Sequence, residues 1–297
     1  MPKVHTLFAE ARNLYFPKGY FLRKYGINTP ELRFVGFLAL DNNQNPAGLV
    51  AMVPRQLQRG GNFFIGGELV DAVTHPRHRG KGLFVQLSKQ VMVLAQTLGL
   101  ELIFAPLNHL SAPVLVNKLG WQLYDQLPSF DYKCRGVDWY RYATRFSPTR
   151  KLYFQIVKRK MGHLLMTQTF PKPNRTNVGT VVWDSLFFES KRKGRNLFLN
   201  FEGFLWWFRF DGGLFVAALE PAGDKVRAET FKEALPKLLN YLGVRRVFGS
   251  FPKESFAAQC FGSLGSPSAN INMYIYPLTD LGRESRWEFS LADCDSF

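Results

Sequence analysis

The sequence predicts an α/β (α+β) fold, a mixed sheet flanked by helices, followed by a second, smaller α/β domain. Three observations predict it. Residues 67–99 pass from a strand-like run through Arg79-Gly80-Lys81-Gly82 directly into an amphipathic helix. A second apolar run, turn and short helix follow at once, and beyond residue 178 strand-like and helix-like segments alternate again. At 297 residues the chain suits two medium domains and has ample sequence for packed cores.

The elements can be justified in order. Residues 32–40 and 47–55 read as strands, joined by the turn-rich Asp41-Asn42-Asn43-Gln44-Asn45-Pro46, which suits a hairpin. Leu69, Val70, Val73 and Thr74 make 68–74 strand-like, and Pro76 ends that run. Leu83, Phe84, Leu87, Val91, Leu94, Ala95 and Leu98 then recur at helical spacing, with Gly99 where a C-terminal cap belongs. Residues 101–105 read as a strand, and Ser111 as the N-cap of a helix over 112–119 closed by Gly120 and Trp121. Residues 135–150 and 171–177 are polar, basic and proline-containing, with a helix-like piece at 152–165 between them; 136–178 reads as a connecting arm. Further on, 196–210 and 214–219 read as strands around Asp211-Gly212-Gly213, 228–242 as a helix, and 246–250 and 273–276 as strands. The ending at 283–297 mixes aromatic and acidic residues and suits a docked tail.

Composition narrows the function. Aromatic residues at 15%, 28 of them Phe, argue against disorder. The most apolar segment, 197–210, is broken by Asn200, Glu202 and Arg209, well short of the roughly 18 apolar residues a membrane helix needs. The N-terminus has no apolar core or cleavage site of a secretory signal. Cys134, Cys260 and Cys294 are widely spaced, which suggests neither a disulfide framework nor a zinc site and fits a reducing cytoplasm. His75 and His78 flank Pro76 without a companion ligand set, so no metal is expected. A net charge of +15 is spread over short groups, Lys158-Arg159-Lys160, Lys191-Arg192-Lys193 with Arg195, and Arg245-Arg246. It attracts anions in general and ranks anionic acceptors ahead of neutral ones. Nucleic acid is a rival partner, but no helix-turn-helix, RRM or zinc-finger pattern appears.

The turn at 79–82 has the chemistry of a phosphate cradle. Free N–H groups at a helix start, two glycines and two cations suit a pyrophosphate. The P-loop pattern and the G-x-G-x-x-G of dinucleotide folds are both absent. Arg79, Gly80, Lys81, Gly82, Leu83 and Phe84 instead resemble motif A of the GNAT N-acetyltransferases, Q/R-x-x-G-x-G/A, with Phe84 where that family prefers a small residue. The strand at 101–105, Asn108, Ser111 and the helix closing on Gly120-Trp121 resemble its second motif. The resemblance spans about residues 30–135. It implies a splayed GNAT-like sheet in a catalytic domain over 1–135, and a degenerate GNAT-like or α+β second domain over 179–297. It also implies acetyl-CoA or another acyl-CoA as cosubstrate. The pyrophosphate would lie on 79–84, pantetheine along Ala72, Val73 and Thr74, with Asn108 and Ser111 contributing from the second motif.

The resemblance further implies direct attack by a primary amine, of a small molecule or a glycan, on the thioester. Glu68, eleven residues before Arg79, holds the position of the general base in histone-type members. Asp71 is the second choice, and strand alternation puts Glu68, Val70, Ala72 and Thr74 on one face and Asp71 on the other. A solvent-facing carboxylate beside Gly66-Gly67 is the plain alternative for Glu68. The family's Tyr acid would fall at Val116; Tyr124 and Tyr132 are the nearby substitutes. In the double-domain survival-factor acetyltransferases the terminal carboxylate serves the site, which would here be that of Phe297. Trp206, Trp207 and Phe208 read as mixed core and interface, or as the lining of a substrate groove. Two classes stay open: an acyltransferase, and a non-catalytic binder of CoA or another ligand on the same fold. Oligomeric state is not legible.

Overall fold

A computed structural model describes residues 1–25, 34–166, 170–171, 178–193 and 196–294. The start of the strand expected at 32, most of the stretch 171–177, Arg195 and Phe297 lie outside them.

Two short helices, α1 (Pro2–Arg12) and α2 (Tyr20–Tyr25), precede the hairpin of β1 (Val35–Leu40) and β2 (Pro46–Arg59). Its turn is closed by Asp41, whose Oδ1 accepts from the Asn43 and Asn45 backbone N–H groups at 2.9 and 2.8 Å. β3 (Asn62–Thr74) turns back antiparallel on β2 and begins six residues before the expected strand. The helix expected at 83–98 is α3 (Leu83–Thr97), followed by β4 (Leu102–Pro106), α4 (Ala112–Leu119) and a long β5 (Gln122–Lys133). Two helices, α5 (Trp139–Ala143) and α6 (Ser147–Met161), lead into β6 (Gly179–Val181) and α7 (Ser185–Lys193).

The apolar run at 196–210 is two strands, β7 (Leu197–Phe201) and β8 (Phe204–Phe210). Glu202 and Gly203, at φ 53° and 80°, fold the chain back between them, a turn masked in the sequence by its aromatic neighbours. β9 (Leu214–Pro221), α8 (Phe231–Leu242), β10 (Arg246–Ser250), α9 (Phe256–Gly262), β11 (Ala269–Pro277), α10 (Asp280–Glu284) and β12 (Trp287–Glu288) complete the chain. No helix among the described residues is long and apolar enough to cross a membrane.

Among the described residues twelve strands join one mixed sheet in the order β12-β6-β2-β3-β4-β11-β5-β10-β9-β8-β7, with β1 also on β2. The segment β3-α3-β4-α4-β5 has the same element order as β9-α8-β10-α9-β11, and in each the first two strands are parallel. The last strands are exchanged. β5 pairs with β10 of the second half, β11 pairs with β4 of the first, and β5 and β11 pair with each other at the centre.

Burial follows this layout. Val50, Met52, Leu87, Val91, Ile103, Leu115 and Trp121 pack between the sheet and α3–α4. On the opposite face, Leu49, Ala51, Val53 and Val73 are covered by Leu7, Phe8 and Phe21 of α1–α2. The second half closes around α8, where Leu235, Leu238 and Leu239 meet Trp206 and Phe208. Near the end of the described chain Trp287, Phe289, Leu291 and Cys294 are buried against Phe104 and Trp207. Trp206, Trp207 and Phe208 are all fully buried and therefore core, not groove.

Candidate functional site

β3 opens the site. It pairs with β4 only at Gly67–Ile103 and Glu68–Phe104, after which β3 runs on to Thr74 and β4 to Pro106 without pairing to each other. On its other edge β3 pairs with β2 throughout, except at one irregularity: Ala51 faces Asp71 and Met52 faces Leu69, so Val70 is a bulged extra residue. A bulge bends and twists a strand where it occurs. Here it coincides with the divergence of β3 from β4, leaving the β3 edge over 69–74 without a strand partner on that side.

The bulge corrects the alternation expected from sequence. Glu68 stands opposite Val53 and Asp71 opposite Ala51, two residues on one face of β2, so both acids lie on the α1–α2 side. Ala72 and Thr74, opposite Val50 and Gly48, lie on the α3 side. A period of two fails across the extra residue.

The α3 turn follows directly on the end of this edge, through the single helical turn Pro76–His78. Gly48 lets α3 approach the sheet, since a Cβ there would come within 2.9 Å of Leu83. Gly80 and Gly82 have φ of 75° and 73°, which L-residues with side chains adopt only at a cost, and a Cβ on either would meet nothing within 4 Å. The glycines thus keep the turn bare on its open side. The N-terminus of α3 has no side-chain cap and no acid in its first turn, while Arg79 and Lys81 are exposed beside it. Such a terminus favours an anion. Arg79 Nε donates to the Thr74 carbonyl at 3.4 Å, and Arg12 Nη2 donates to the Ala72 carbonyl at 2.9 Å. Val73 faces away into the α1–α2 core, and Phe84 packs half-buried against the α3 core. His75 Nε2 lies 3.3 Å from Glu10 Oε2, and its Nδ1 accepts from the Arg77 N–H at 3.2 Å.

The remaining expected residues fall into separate environments. Glu68 is buried, and Arg55 donates to its Oε2 through Nε at 3.0 Å and Nη2 at 2.5 Å. This is not the solvent-facing carboxylate of the plain alternative. Asp71 accepts from the Tyr25 hydroxyl and lies 2.8 Å from Lys24 Nζ. The Tyr124 hydroxyl accepts from the Trp287 N–H at 2.6 Å, and burial pushes its pKa above the usual phenol value. Phe104, in register with Glu68, stacks on Phe289 at 4.1 Å, and Phe289 in turn meets Tyr124 at 6.4 Å. A row of rings, Phe104, Phe289 and Tyr124, thus begins on the strand beside Glu68. Tyr132 is in register with Val247 of the second half, and Val116 packs on the α3–α4 core.

The N-cap expected at Ser111 belongs to Asn108. Its Oδ1 accepts from the Leu110 and Ser111 N–H groups at 2.9 and 3.0 Å and from the Ser111 hydroxyl at 3.2 Å, whereas Ser111 already has helical backbone and caps nothing. An Asn side chain reaches the backbone donors two and three residues ahead of it, so the first free N–H groups of this turn are satisfied before Ser111.

Sequence reasoning missed Arg55, Lys24, Tyr25 and Lys191. The signal for Arg55 was a cation two residues after Val53, on the inward face of an apolar strand, which demands a buried counter-charge. Lys191 is buried, lies 5.3 Å from the Phe187 ring and donates to the Cys294 carbonyl. Burial raises the Cys294 thiol pKa well above its usual value, and the nearby charge of Glu68 adds to the effect.

The second half repeats the splay without the cradle. β9 pairs with β10 only over Leu214–Val216, then continues to Pro221. The opening beside it is closed by Glu288, Ser290 and Asp293 of the tail, leaving about 40 Å³. The approach to α8 carries Glu229 and Glu233 beside Arg227 and Lys232, so its first turns lack the unopposed positive charge of the α3 turn.

No family model and no curated protein matches the sequence. Among solved structures the fold is similar to a GCN5-related N-acetyltransferase from Anabaena variabilis (TM-score 0.55, 10% identity, 96% of this chain and 72% of that one). It is also similar to one from Kribbella flavida (0.54, 14%, 96% and 71%). A tandem GNAT protein from the clavulanic acid biosynthesis pathway is similar over 94% of both chains (0.51, 9%). The chain thus has the GNAT fold. Its internal repeat with exchanged strands is a tandem arrangement of that fold.

Proposed function

We propose that the protein is an N-acyltransferase that moves an acetyl or other acyl group from acyl-CoA to a primary amine. The observation that carries this reading is the coincidence of the β3–β4 splay with the bare, cationic turn at the start of α3. The pyrophosphate lies on the amides of residues 79–84, and pantetheine runs along the unpaired β3 edge at 72–74, displacing or sharing the Arg12 contact to Ala72. Val70, bulged out of the β2 register, would supply a backbone amide to the thioester carbonyl. Glu68 or Asp71, both on the α1–α2 face, takes the ammonium proton through water. Tyr124, kept protonated by burial, is the candidate donor to the leaving thiolate. The acceptor is a small-molecule or glycan amine carrying negative charge, in keeping with the net charge of +15. Three free, separated thiols support a cytoplasmic setting.

A second reading is favoured by one observation. Glu68 is engaged by Arg55 and the Tyr124 hydroxyl by Trp287, as suits a fold that binds CoA without turning it over. Isothermal titration with acetyl-CoA and CoA, on the wild type and on Gly82→Trp and Arg79→Glu, tests donor binding. Micromolar binding lost in both variants supports the cradle, and no binding sinks both readings. Turnover with an amine panel then separates transferase from binder.

A further inference from the structure

We infer that the outer face of α5 and α6 is a docking surface for an anionic phospholipid membrane, a feature independent of the acyltransfer reading. Inward, Tyr153, Val157 and Met161 of α6 are buried in the second-half core, with Tyr140 of α5 packed against it. Outward, Trp139 is 62%, Tyr142 56%, Phe146 68%, Leu152 57% and Ile156 46% exposed. Large apolar side chains scattered singly on a surface need no explanation. Five within eighteen residues of one helix pair do.

Charge on the same segment points to the partner. Residues 135–160 hold eight Lys and Arg, all exposed, and a single acid. That acid, Asp138, spends its carboxylate on the Arg141 backbone N–H at 3.0 Å. Among the described residues none of the eight cations forms an ion pair within the chain. The surface is therefore strongly positive and unneutralised, which opposes docking of a second copy through this face and complements an anionic one.

The shape suits an amphiphile. Alongside α6 runs a groove of about 740 Å³, lined by Phe154, Leu165, Leu197 and Phe210 together with Arg150, Lys151 and Lys158; the one acid in its lining, Asp211, pairs with Arg209 at 3.1 Å. Apolar walls with cations among them accept lipid chains below and phosphate headgroups above. Trp and Tyr place a polar tip at the headgroup level, and Lys and Arg stems reach to the phosphates. Leu152 and Ile156 decide between the two polyanions. They gain by leaving water for the acyl boundary and have no counterpart in binding to a nucleic acid backbone, where the aromatic faces and cations alone would serve.

Co-sedimentation of the intact chain with vesicles tests this. Vesicles of phosphatidylcholine are compared with vesicles containing about 30% phosphatidylglycerol, at low salt and at about 0.5 M salt. The expected result is at least tenfold stronger partitioning onto the anionic vesicles, reduced by salt. It should fall at least tenfold in Phe146→Ser/Leu152→Ser and in Lys151→Glu/Lys158→Glu, and little in Lys89→Glu/Lys118→Glu, which makes the same charge change elsewhere. All six positions are exposed or intermediate, so the variants fold, and circular dichroism verifies it. Absence of binding overturns the inference. So does an equal loss in the Lys89/Lys118 variant, which would mean diffuse charge only. Binding of an oligonucleotide that ignores the Phe146/Leu152 change while vesicles do not bind would assign the face to nucleic acid instead.

Discussion

Glu68 and Asp71 share one face of β3, because Val70 between them is bulged out of register with β2. Two carboxylates expected to point apart are thereby turned to the same side, each with its own cation: Arg55 on Glu68 and Lys24 on Asp71. The arrangement leaves two candidates for one proton, and it separates structural from chemical roles by experiment.

Glu68→Gln removes the charge that Arg55 pairs with, where the two side chains are only 2% and 12% exposed. Breaking such a pair costs about 3 kcal/mol, whereas replacing both partners by apolar groups is far milder. Denaturant unfolding should therefore show Glu68→Gln clearly less stable than Arg55→Met/Glu68→Leu. If Glu68 accepts the proton, kcat for acyl transfer falls by at least a hundredfold in both while the acetyl-CoA Kd stays put. Restored turnover in the double variant would leave Glu68 with a structural role and pass the base to Asp71.

Gly82 separates backbone strain from ligand approach. Ala at φ 73° should cost about 1–2 kcal/mol, and Asn, which tolerates that region, less. A Cβ there meets no atom of the chain within 4 Å. Both are expected to weaken acetyl-CoA binding at least tenfold by titration calorimetry, and unchanged affinity in the stable Asn variant would remove the cradle from residue 82.

At the start of α4 the cap is Asn108. Asn108→Ala should lose about 1 kcal/mol of stability and Ser111→Ala very little, measured by urea denaturation. The reverse order would return the cap to Ser111.

Much of the first half was legible because its signals are local. The helical spacing from Leu83 to Leu98, the strand before Asn108 and the glycines at 80, 82, 99 and 120 each constrain a few adjacent residues, and α3, β4 and α4 lie where those signals put them. What was not legible is set by partners distant in sequence. Nothing around Val70 announces a bulge, which exists only in its register against Ala51 and Met52, so the faces of Glu68 and Asp71 came out wrong. The Arg55–Glu68 pair spans thirteen residues across a hairpin whose second strand begins earlier than its pattern suggested. The turn at Glu202-Gly203 was hidden inside one continuous apolar run, and the exchange of β5 and β11 depends on pairing between halves.

Acid should loosen the junction between the halves. The Arg246 guanidinium holds the Asp131 pKa below its usual 3.8, from β10 across to β5. A depressed carboxylate contributes stability above its unfolded value, and that stability is lost as pH falls from about 5 to below 4. The pair is partly exposed, at 40% and 31%, so its size is under about 1 kcal/mol and salt should screen it. Asp131→Asn should flatten this part of the stability curve, followed by urea midpoints from pH 6 to 3 at low salt; an unchanged slope would show that other carboxylates carry it.

The exchanged strands make a stronger prediction about the whole chain. In the intact protein β11 fills the gap between β4 and β5. A fragment of residues 1–135 lacks it and would expose the edges of β4 and β5, together with the buried faces of Phe104 and Leu127 that the tail covers. Unpaired apolar edges of this kind aggregate rather than persist. Residues 136–297 alone would in turn lack β5, the partner that lies between β10 and β11. Each fragment is expected to be insoluble or unfolded by circular dichroism, and co-expression of the two should recover a stable one-to-one complex on size-exclusion chromatography. A soluble, cooperatively unfolding 1–135 fragment would show instead that the first half forms its sheet without β11, and that the exchange adds to a fold already complete.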